Sequence, residues 1–184
     1  MKIYVPADSA AKAMGADDVA AAIAREAKVR GISARIVRNG TRGMIWLEPL
    51  VEIEQGGVRH AYGPLAPDQA GALLDGDLES LGPVDDLPWM KMQTRLSFAR
   101  CGVIDPLDLD DYAAHGGLAG LRRALEMTPE AIVAEITESG LRGRGGAGFP
   151  TGIKWKTVAE AKAAQKYIVC NADEGDSGTF ADRM

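Results

Sequence analysis

Apolar positions in the first 75 residues follow strand-like and helix-like patterns that predict a small α/β unit. Residues 2–6 and 33–37 are short strand-like runs. Between them, apolar residues recur every four positions on one helical face, at Val19, Ile23 and Ala27. Asp17 or Asp18 is expected to cap this helix, which is expected to run to about Arg30.

The pattern then predicts a hairpin and a second helix. Residues 44–54 form the longest strand-like run, and Pro49 is expected to break or bulge it. Glycines 56–57 are typical of a hairpin turn, so residues 58–62 should return as the next strand. Residues 67–74 begin with Pro-Asp and predict a short helix. The resulting order βαβββα resembles that of a thioredoxin-like unit.

The middle of the chain is less regular. It opens as a linker rich in Gly, Pro and Asp, and residues 94–101 fit a strand or a short helix. Residues 109–125 predict helical pieces, interrupted at glycines 116–117. A clear helix start follows, with a capping hydroxyl, a proline at the first helical position and an acid in the first turn, at Thr128, Pro129 and Glu130.

The last segment carries an unusual glycine-rich stretch, GLRGRGGAGFPTG, at residues 140–152. A helix is expected over residues 154–164. Residues 166–170 (KYIVC) then predict a buried strand, with Cys170 in the core. An acidic run follows that strand, at residues 171–176.

Composition narrows the function classes. The chain has 184 residues, is 46% hydrophobic and has a net charge of −5, which favours a globular protein over a disordered tail or a nucleic-acid binder. Two distant cysteines, Cys101 and Cys170, are too few for a disulfide framework or a cysteine-ligated cluster. No apolar run approaches the ~20 residues of a membrane span, and no secretory leader is apparent, so a cytoplasmic location is expected.

Charge divides the chain into three segments. Residues 1–75 are neutral, whereas residues 76–138 carry five basic and twelve acidic side chains, a net charge of −7. Residues 139–184 carry a net charge of +2. The acidic middle segment is either a solvated face or an assembly surface.

The glycine-rich stretch is the first candidate for chemistry. Residues 143–148 match G-x-G-x-x-G, but a helix precedes them where a dinucleotide fingerprint requires a strand, and a flexible loop is the simpler alternative. Two features favour a phosphate-binding loop over a flexible one. Closely spaced glycines let backbone N–H groups approach an anion. Basic side chains also flank the loop, at Arg142, Arg144, Lys154 and Lys156.

Phe149 and the acidic run have more than one interpretation. Phe149 is either a core plug or a stacking surface for a ring. Residues 171–176 follow a predicted strand, and ligands of open α/β sheets bind at strand carboxyl ends. The acids there could hydrogen-bond ribose hydroxyls or a heterocycle, bind a divalent cation, or cap the next helix.

Two long blocks, GLRGRGGAGFPTGIKW and IVCNADEGDSGTFADRM, closely resemble the family of flavin (FMN/NADH-binding) subunits of NADH dehydrogenases. The likeness extends from about Leu96 to the end of the chain. The first segment resembles the thioredoxin-like [2Fe-2S] ferredoxin domain of such subunits. Its expected ligand-bearing stretches, residues 8–16 and 38–44, contain no cysteine. This fused, cysteine-free arrangement is most similar to the beta subunit of molybdenum-containing NAD-dependent formate dehydrogenase, ahead of the hydrogenase flavin subunit.

The resemblance implies roles for individual residues. The loop lying along FMN and the dinucleotide matches Gly143, Arg144, Gly145, Gly146, Ala147 and Gly148. Phe149 matches an aromatic residue that stacks on the NADH adenine. Lys154 matches a lysine that lies beside the flavin. Contacts to the flavin or its ribityl chain are implied for Asn171, Asp173 and Glu174. Asp176 stands where complex I subunits have a longer Glu against the nicotinamide ribose. No catalytic acid–base residue and no metal ligand is assigned.

The implied fold is α/β: a cluster-less thioredoxin-like domain over residues 1–78, an acidic linker with helices over 79–128, and the truncated start of an FMN-binding Rossmann-like domain over 129–184. The implied protein is an NAD-dependent oxidoreductase, the diaphorase subunit of a formate dehydrogenase complex with FMN and NAD. Its [4Fe-4S] cluster is expected in a C-terminal part beyond this chain.

Partners and alternatives follow from the same resemblance. The expected partners are a ferredoxin-like [2Fe-2S] gamma subunit and a molybdenum-containing alpha subunit, with no nucleic acid and no membrane span. The alternative enzymes are an NAD-reducing hydrogenase and a complex I type NADH dehydrogenase. The alternative of another class is a non-catalytic fragment that docks a ferredoxin-like subunit.

We expect no iron–sulfur cluster in the N-terminal domain, because residues 1–100 contain no cysteine. Iron analysis and electron paramagnetic resonance of the purified 184-residue chain test this expectation. A stoichiometric [2Fe-2S] spectrum would contradict it.

Overall fold

The computed structural model describes residues 1–170. The chain divides into two compact units, Met1–Gly116 and Gly117–Met184. Each unit has its own helices, and the first also contains a β-sheet.

The first unit is organised around a four-stranded sheet. Its strands are β1 Lys2–Tyr4, β2 Arg35–Val37, β3 Val51–Gln55 and β4 Val58–Tyr62. They are arranged in the order β2-β1-β3-β4, with β1 parallel to β2 and antiparallel to β3. Ile3 pairs with Ile36 on one side and Ile53 on the other, which fixes the register of the central strand.

Five α-helices accompany this sheet in chain order. They are α1 Ser9–Ala13, α2 Ala16–Val29, α3 Ala70–Asp75, α4 Pro88–Lys91 and α5 Leu109–Ala114. Short 3₁₀ turns occupy Ile45–Leu47, Pro67–Gln69 and Val84–Asp86. The α/β class predicted from sequence is confirmed, and the narrower thioredoxin-like assignment stays a prediction.

Helix α2 covers one face of the sheet. Val19, Ile23 and Ala27 are all buried, as their spacing predicts, and pack with Ile3 and Val51 of the central strands. Each larger apolar side chain of this kind contributes roughly 1.5–3 kcal/mol when fully buried. This cluster is the main core of the first unit.

The predicted cap of α2 is wrong. Gly15 is the N-cap, with a φ of 95°, and Asp17 and Asp18 lie inside the first turn. A short helix that the sequence patterns missed, α1, ends just before it, with Asp8 as its N-cap. The chain must turn sharply between the two helices, and a left-handed glycine permits this turn at low cost.

The predicted strand over residues 44–54 is also shorter than expected. Residues Ile45–Leu47 form a 3₁₀ turn, and β3 begins only at Val51. The expected break at Pro49 is confirmed, since this residue lacks a backbone N–H and lies just before β3. The hairpin at glycines 56–57 is confirmed, with φ of 60° and 81°.

Residues 94–101 form turns, so both the strand and the helix predicted there are wrong. The following residues are fastened to the sheet through polar side chains. Asn39 Nδ2 donates a hydrogen bond to Gly102 O at 2.7 Å, and Arg59 Nη2 donates one to Val103 O at 2.8 Å. The three-segment division at residues 78 and 128 stays a prediction.

A buried ion network lies on the sheet. Arg42 donates two hydrogen bonds to Glu52, at 2.8 and 2.9 Å, and their side chains are only 4% and 1% exposed. Arg59 contacts the same carboxylate at 3.4 Å and lies 3.5 Å from the ring centroid of Tyr4. Burial, together with the hydrogen bond that Tyr4 donates to Glu54, raises the pKa of Tyr4 to about 12.

The second unit is helical over its described residues. It contains α6 Ala119–Leu125, α7 Pro129–Glu138 and α8 Thr151–Glu160. The predicted start of α7 is confirmed, since Thr128 Oγ1 accepts a hydrogen bond from Ala131 N at 3.2 Å. Helix α8 begins three residues earlier than predicted, directly after Pro150, whose fixed φ suits a helix entrance.

The predicted buried strand at residues 166–170 is wrong for the described part of the chain. Tyr167, Ile168 and Val169 are 75%, 99% and 85% exposed, and Cys170 is exposed as well. A strand needs a hydrogen-bonded neighbour, and no strand pairs with these residues within residues 1–170. Within the same residues, no helix is both long and apolar enough to cross a membrane.

Replacing one partner of the buried ion pair should destabilise the first unit strongly. Glu52→Leu leaves the Arg42 guanidinium buried without its main counter-charge, which costs about 3–5 kcal/mol. Asp86→Leu is the matched control, because the Asp86–Lys91 pair is 61% exposed on both sides and is worth at most ~1 kcal/mol. Urea unfolding, followed by tryptophan fluorescence, measures the free energy of unfolding of both variants. Equal losses of stability in Glu52→Leu and Asp86→Leu would contradict a special role for the buried pair.

Candidate functional site

The glycine-rich stretch forms a closed loop between α7 and α8. Gly143 N–H donates to Phe149 O at 2.8 Å, and Thr151 N–H donates to Leu141 O at 2.9 Å. Arg142 and Pro150 form an isolated antiparallel bridge between these two bonds. The loop therefore leaves and returns at one neck, directly at the N-terminus of α8. We call residues 143–148 the glycine loop.

The packing of α7 against α8 fixes this neck. Gly152, in the first turn of α8, is buried against Thr137 near the end of α7. A Cβ at Gly152 would lie 2.6 Å from the Thr137 Cα, which no real side chain could occupy without displacing a helix. The sequence patterns did not single out Gly152. No sequence signal separates it from the other glycines of residues 140–152, because the sequence predicts a helix only from residue 154.

The glycine loop requires glycine at two positions and leaves its backbone open. Gly146 has a φ of 105° and Gly148 a φ of 61°, conformations that other residues rarely adopt. A Cβ added at Gly145, Gly146 or Gly148 would meet no other atom within 4 Å. The space beside the loop backbone is therefore free for a ligand.

Unused hydrogen-bond donors line this open backbone. Within the described residues, nothing accepts a hydrogen bond from the N–H groups of residues 144–148. Successive N–H groups in glycine-containing turns form concave sites that bind anions. The donor set therefore fits the phosphate or polar oxygen atoms of a nucleotide cofactor.

Three cations surround the loop. Arg142 Nη1 donates to Gly148 O at 3.0 Å, and Arg144 Nη1 donates to Arg142 O at 2.9 Å, so both arginines also brace the loop. Lys154 Nζ lies 2.9 Å from the position that a Cβ on Gly143 would occupy. Lys156, the fourth predicted cation, instead pairs with Glu160 along α8 at 3.7 Å.

Phe149 is 50% exposed, so its interpretation as a core plug is wrong. One part of the ring is available to a partner at the mouth of the loop, and stacking on a ligand ring stays a prediction.

An apolar cavity of about 230 Å³ in this unit lies between helices α6, α7 and α8, where Met127, Ile136 and Trp155 line it.

The structure thus brings together the predicted loop, Phe149 and Lys154 at the entrance of α8. The remaining predicted site residues, Asn171, Asp173, Glu174 and Asp176, lie outside the described residues. Their roles stay predictions.

Comparison with known proteins supports this arrangement as a cofactor-binding domain. Residues 136–184 match the family model described as the Nuo51 FMN-binding domain. The NADP-reducing hydrogenase subunit HndC of Solidesulfovibrio fructosivorans is 57% identical over 93 residues, covering 50% of this chain and 19% of the relative.

Other relatives carry related names. An NADH-quinone oxidoreductase subunit of Rhizobium meliloti is 58% identical over 77 residues, covering 41% of this chain and 18% of the relative. The NAD-reducing hydrogenase HoxS subunit alpha of Cupriavidus necator is 53% identical over 64 residues, covering 35% of this chain and 11% of the relative. The matched residues of this chain are therefore similar to an FMN-binding domain and to subunits of these oxidoreductases.

The match is partial in length. The chain spans less than a fifth of each of these relatives. A solved structure described as an NAD+-reducing [NiFe]-hydrogenase in the air-oxidized state aligns with 99% of this chain and 32% of that chain, at 24% identity. Its TM-score is 0.32, which does not establish a shared fold.

Filling the helix contact at Gly152 should disturb the neck of the loop. Gly152→Ala places a methyl group against Thr137 and should cost about 1–3 kcal/mol by overpacking. Gly145→Ala is the control, because its Cβ would lie in open space. Thermal unfolding of both variants tests this; a Gly145→Ala variant as unstable as Gly152→Ala would contradict it.

Proposed function

We propose that the chain belongs to the diaphorase subunit of an NAD-dependent formate dehydrogenase complex, in which FMN passes electrons between iron–sulfur clusters and NAD. The observation that carries the proposal is the FMN-binding family match over residues 136–184, which includes a glycine loop whose N–H groups have no acceptor within residues 1–170. The relatives named as NADH-quinone oxidoreductase and NAD-reducing hydrogenase subunits support an oxidoreductase with NAD as a cofactor.

FMN, when bound, supplies the chemistry by exchanging a hydride with the nicotinamide and single electrons with the clusters. The chain's own residues have simpler tasks. The N–H groups of residues 144–148 donate hydrogen bonds to the cofactor without needing a side chain. Lys154 places a positive charge beside Gly143, at the end of the loop that the neck holds fixed.

Phe149 and the acidic run complete the proposed site. The half-exposed ring of Phe149 stacks on the adenine of the dinucleotide. Asn171, Asp173 and Glu174 contact the flavin or its ribityl chain, and Asp176 approaches the nicotinamide ribose. No acid–base residue is needed, because the cofactors carry out the redox step.

The formate assignment rests on the first unit. Residues 1–78, which contain the sheet and no cysteine, precede the flavin segment, and this fused arrangement is expected of the formate dehydrogenase beta subunit. A flavin subunit of an NAD-reducing hydrogenase or of a complex I type enzyme is the alternative that the relatives favour. Measuring whether formate or hydrogen supports NAD+ reduction by the native complex distinguishes these enzymes.

The proposed partners are a molybdenum-containing alpha subunit and a ferredoxin-like [2Fe-2S] gamma subunit. The acidic stretch of residues 76–138 supports docking of a partner by charge. A non-catalytic fragment that only docks the ferredoxin-like subunit is the second class of function. Retention of FMN by the isolated 184-residue chain would exclude that class.

Two substitutions in the native complex should separate flavin binding from dinucleotide binding. Gly146→Val forces a β-branched residue into a φ of 105° and fills the space beside the loop, so FMN should be lost. Phe149→Ala removes only a stacking face, worth about 0.5–1.5 kcal/mol, so FMN should be retained while KM for NADH rises about 2- to 13-fold.

Flavin content and steady-state NADH oxidation with an artificial acceptor measure both effects. Gly120→Ala is the control, because its Cβ would lie in open space on helix α6, outside the glycine loop, and flavin content should stay unchanged. Complete loss of flavin in Phe149→Ala would show that Phe149 does not serve the dinucleotide.

A further inference from the structure

A second polar site lies in the first unit, where the parallel strands β1 and β2 end. Ala7 N–H donates to Asn39 O at 2.8 Å, so the backbones that follow the two strands run side by side. Asp8 comes directly after Ala7 and caps α1 through its Oδ1 atom. The carboxyl ends of neighbouring parallel strands are a common place for ligands.

Two buried oxygen atoms at this edge have no partner. Among the described residues, Asp8 Oδ2 and Asn39 Oδ1 form no hydrogen bond although both atoms are inaccessible to solvent. Asn39 is 1% exposed, and its Nδ2 atom donates to Gly102 O at 2.7 Å, which leaves Oδ1 on the other side of the amide. An unsatisfied buried oxygen costs about 1–3 kcal/mol, and more when it carries charge.

The carboxylate of Glu48 is buried in the same unit. Glu48 is 1% exposed and accepts hydrogen bonds from Thr41 Oγ1 at 2.6 Å and Leu50 N at 2.9 Å. Within residues 1–170, neither Glu48 nor Asp8 takes part in an ion pair. Burial chiefly raises the pKa of Glu48, and the charge of Asp8 adds to the effect, so the two carboxylates repel each other.

The nearby arginines are already engaged. Arg42 is paired with Glu52, and Arg38 is paired with Asp17 while donating to two backbone carbonyls of the segment after β1. A protein cation to neutralise Asp8 and Glu48 is therefore lacking among the described residues. An external cation would supply both a partner for the two unpaired oxygen atoms and the missing positive charge.

We propose that the Asp8 Oδ2 and Asn39 Oδ1 atoms bind a hard divalent cation. Carboxylate and amide oxygens are the ligands preferred by Ca²⁺ and Mg²⁺, and water completes their coordination. The described residues contain no group of three or more His, Cys, Asp or Glu side chains placed to hold a metal, and this site uses one carboxylate and one amide instead.

The cation has a structural role in this proposal. It ties the loop after β1 to the loop after β2, and through Asn39 to the turn at Gly102. Because the ion binds the folded chain, it should raise the temperature of unfolding as its concentration rises.

Calorimetric titration of the full 184-residue chain, stripped with a chelator, tests the proposal with CaCl₂ and MgCl₂ in separate arms. We expect one ion to bind in a one-to-one ratio and to raise the midpoint of thermal unfolding. Asp8→Asn keeps a capping oxygen for α1 but loses the charge, so it should weaken binding by at least about tenfold. Asp68→Asn, the same change at an exposed acid, should bind like the unsubstituted chain.

The proposal fails if neither ion binds the unsubstituted chain, in which case a buried water satisfies the two oxygens. It also fails if Asp8→Asn binds either ion as tightly as the unsubstituted chain does. Titration of the unsubstituted chain keeps the test decisive if Asp8→Asn does not fold.

Discussion

The close packing of helix α7 on helix α8 at Gly152 is the contact on which the candidate cofactor site depends. With no side chain at Gly152, the end of α7 and the start of α8 approach closely enough for Leu141 and Thr151 to share a backbone hydrogen bond. The intervening residues are then forced into a loop whose N–H groups have no partner in the described part of the chain. Preorganised donors of this kind bind an anion without having to reorient.

The first unit obeys a different constraint, the burial of charge. Its sheet carries a buried Arg42–Glu52 pair, and a second group of buried oxygens stands at the ends of β1 and β2. Buried charges are tolerated only when compensated. The first group is satisfied within the protein, whereas the second has no partner within residues 1–170, and an external cation would supply one. Both units therefore leave defined polar groups for ligands, of opposite charge in the two cases.

Sequence patterns predicted the elements whose periodicity or capping was strong, such as the buried face of α2 and the Thr128 cap of α7. They failed where one residue overrides the pattern. Gly15 replaces the expected acidic cap of α2, whereas Pro49 interrupts the apolar run before β3 as the sequence predicts. The strand at residues 166–170 failed because a strand depends on partners that a local pattern does not contain.

The candidate site was predictable in composition and less so in geometry. The glycine loop, Phe149 and Lys154 were identified from sequence, whereas the closed neck and Gly152 emerged only from the fold. A crystal structure of the native complex with FMN and NADH tests the central claim most directly. We expect N–H groups of residues 144–148 within about 3.2 Å of cofactor atoms. If all of them lay beyond about 3.5 Å from either cofactor, the glycine loop would not be the binding element.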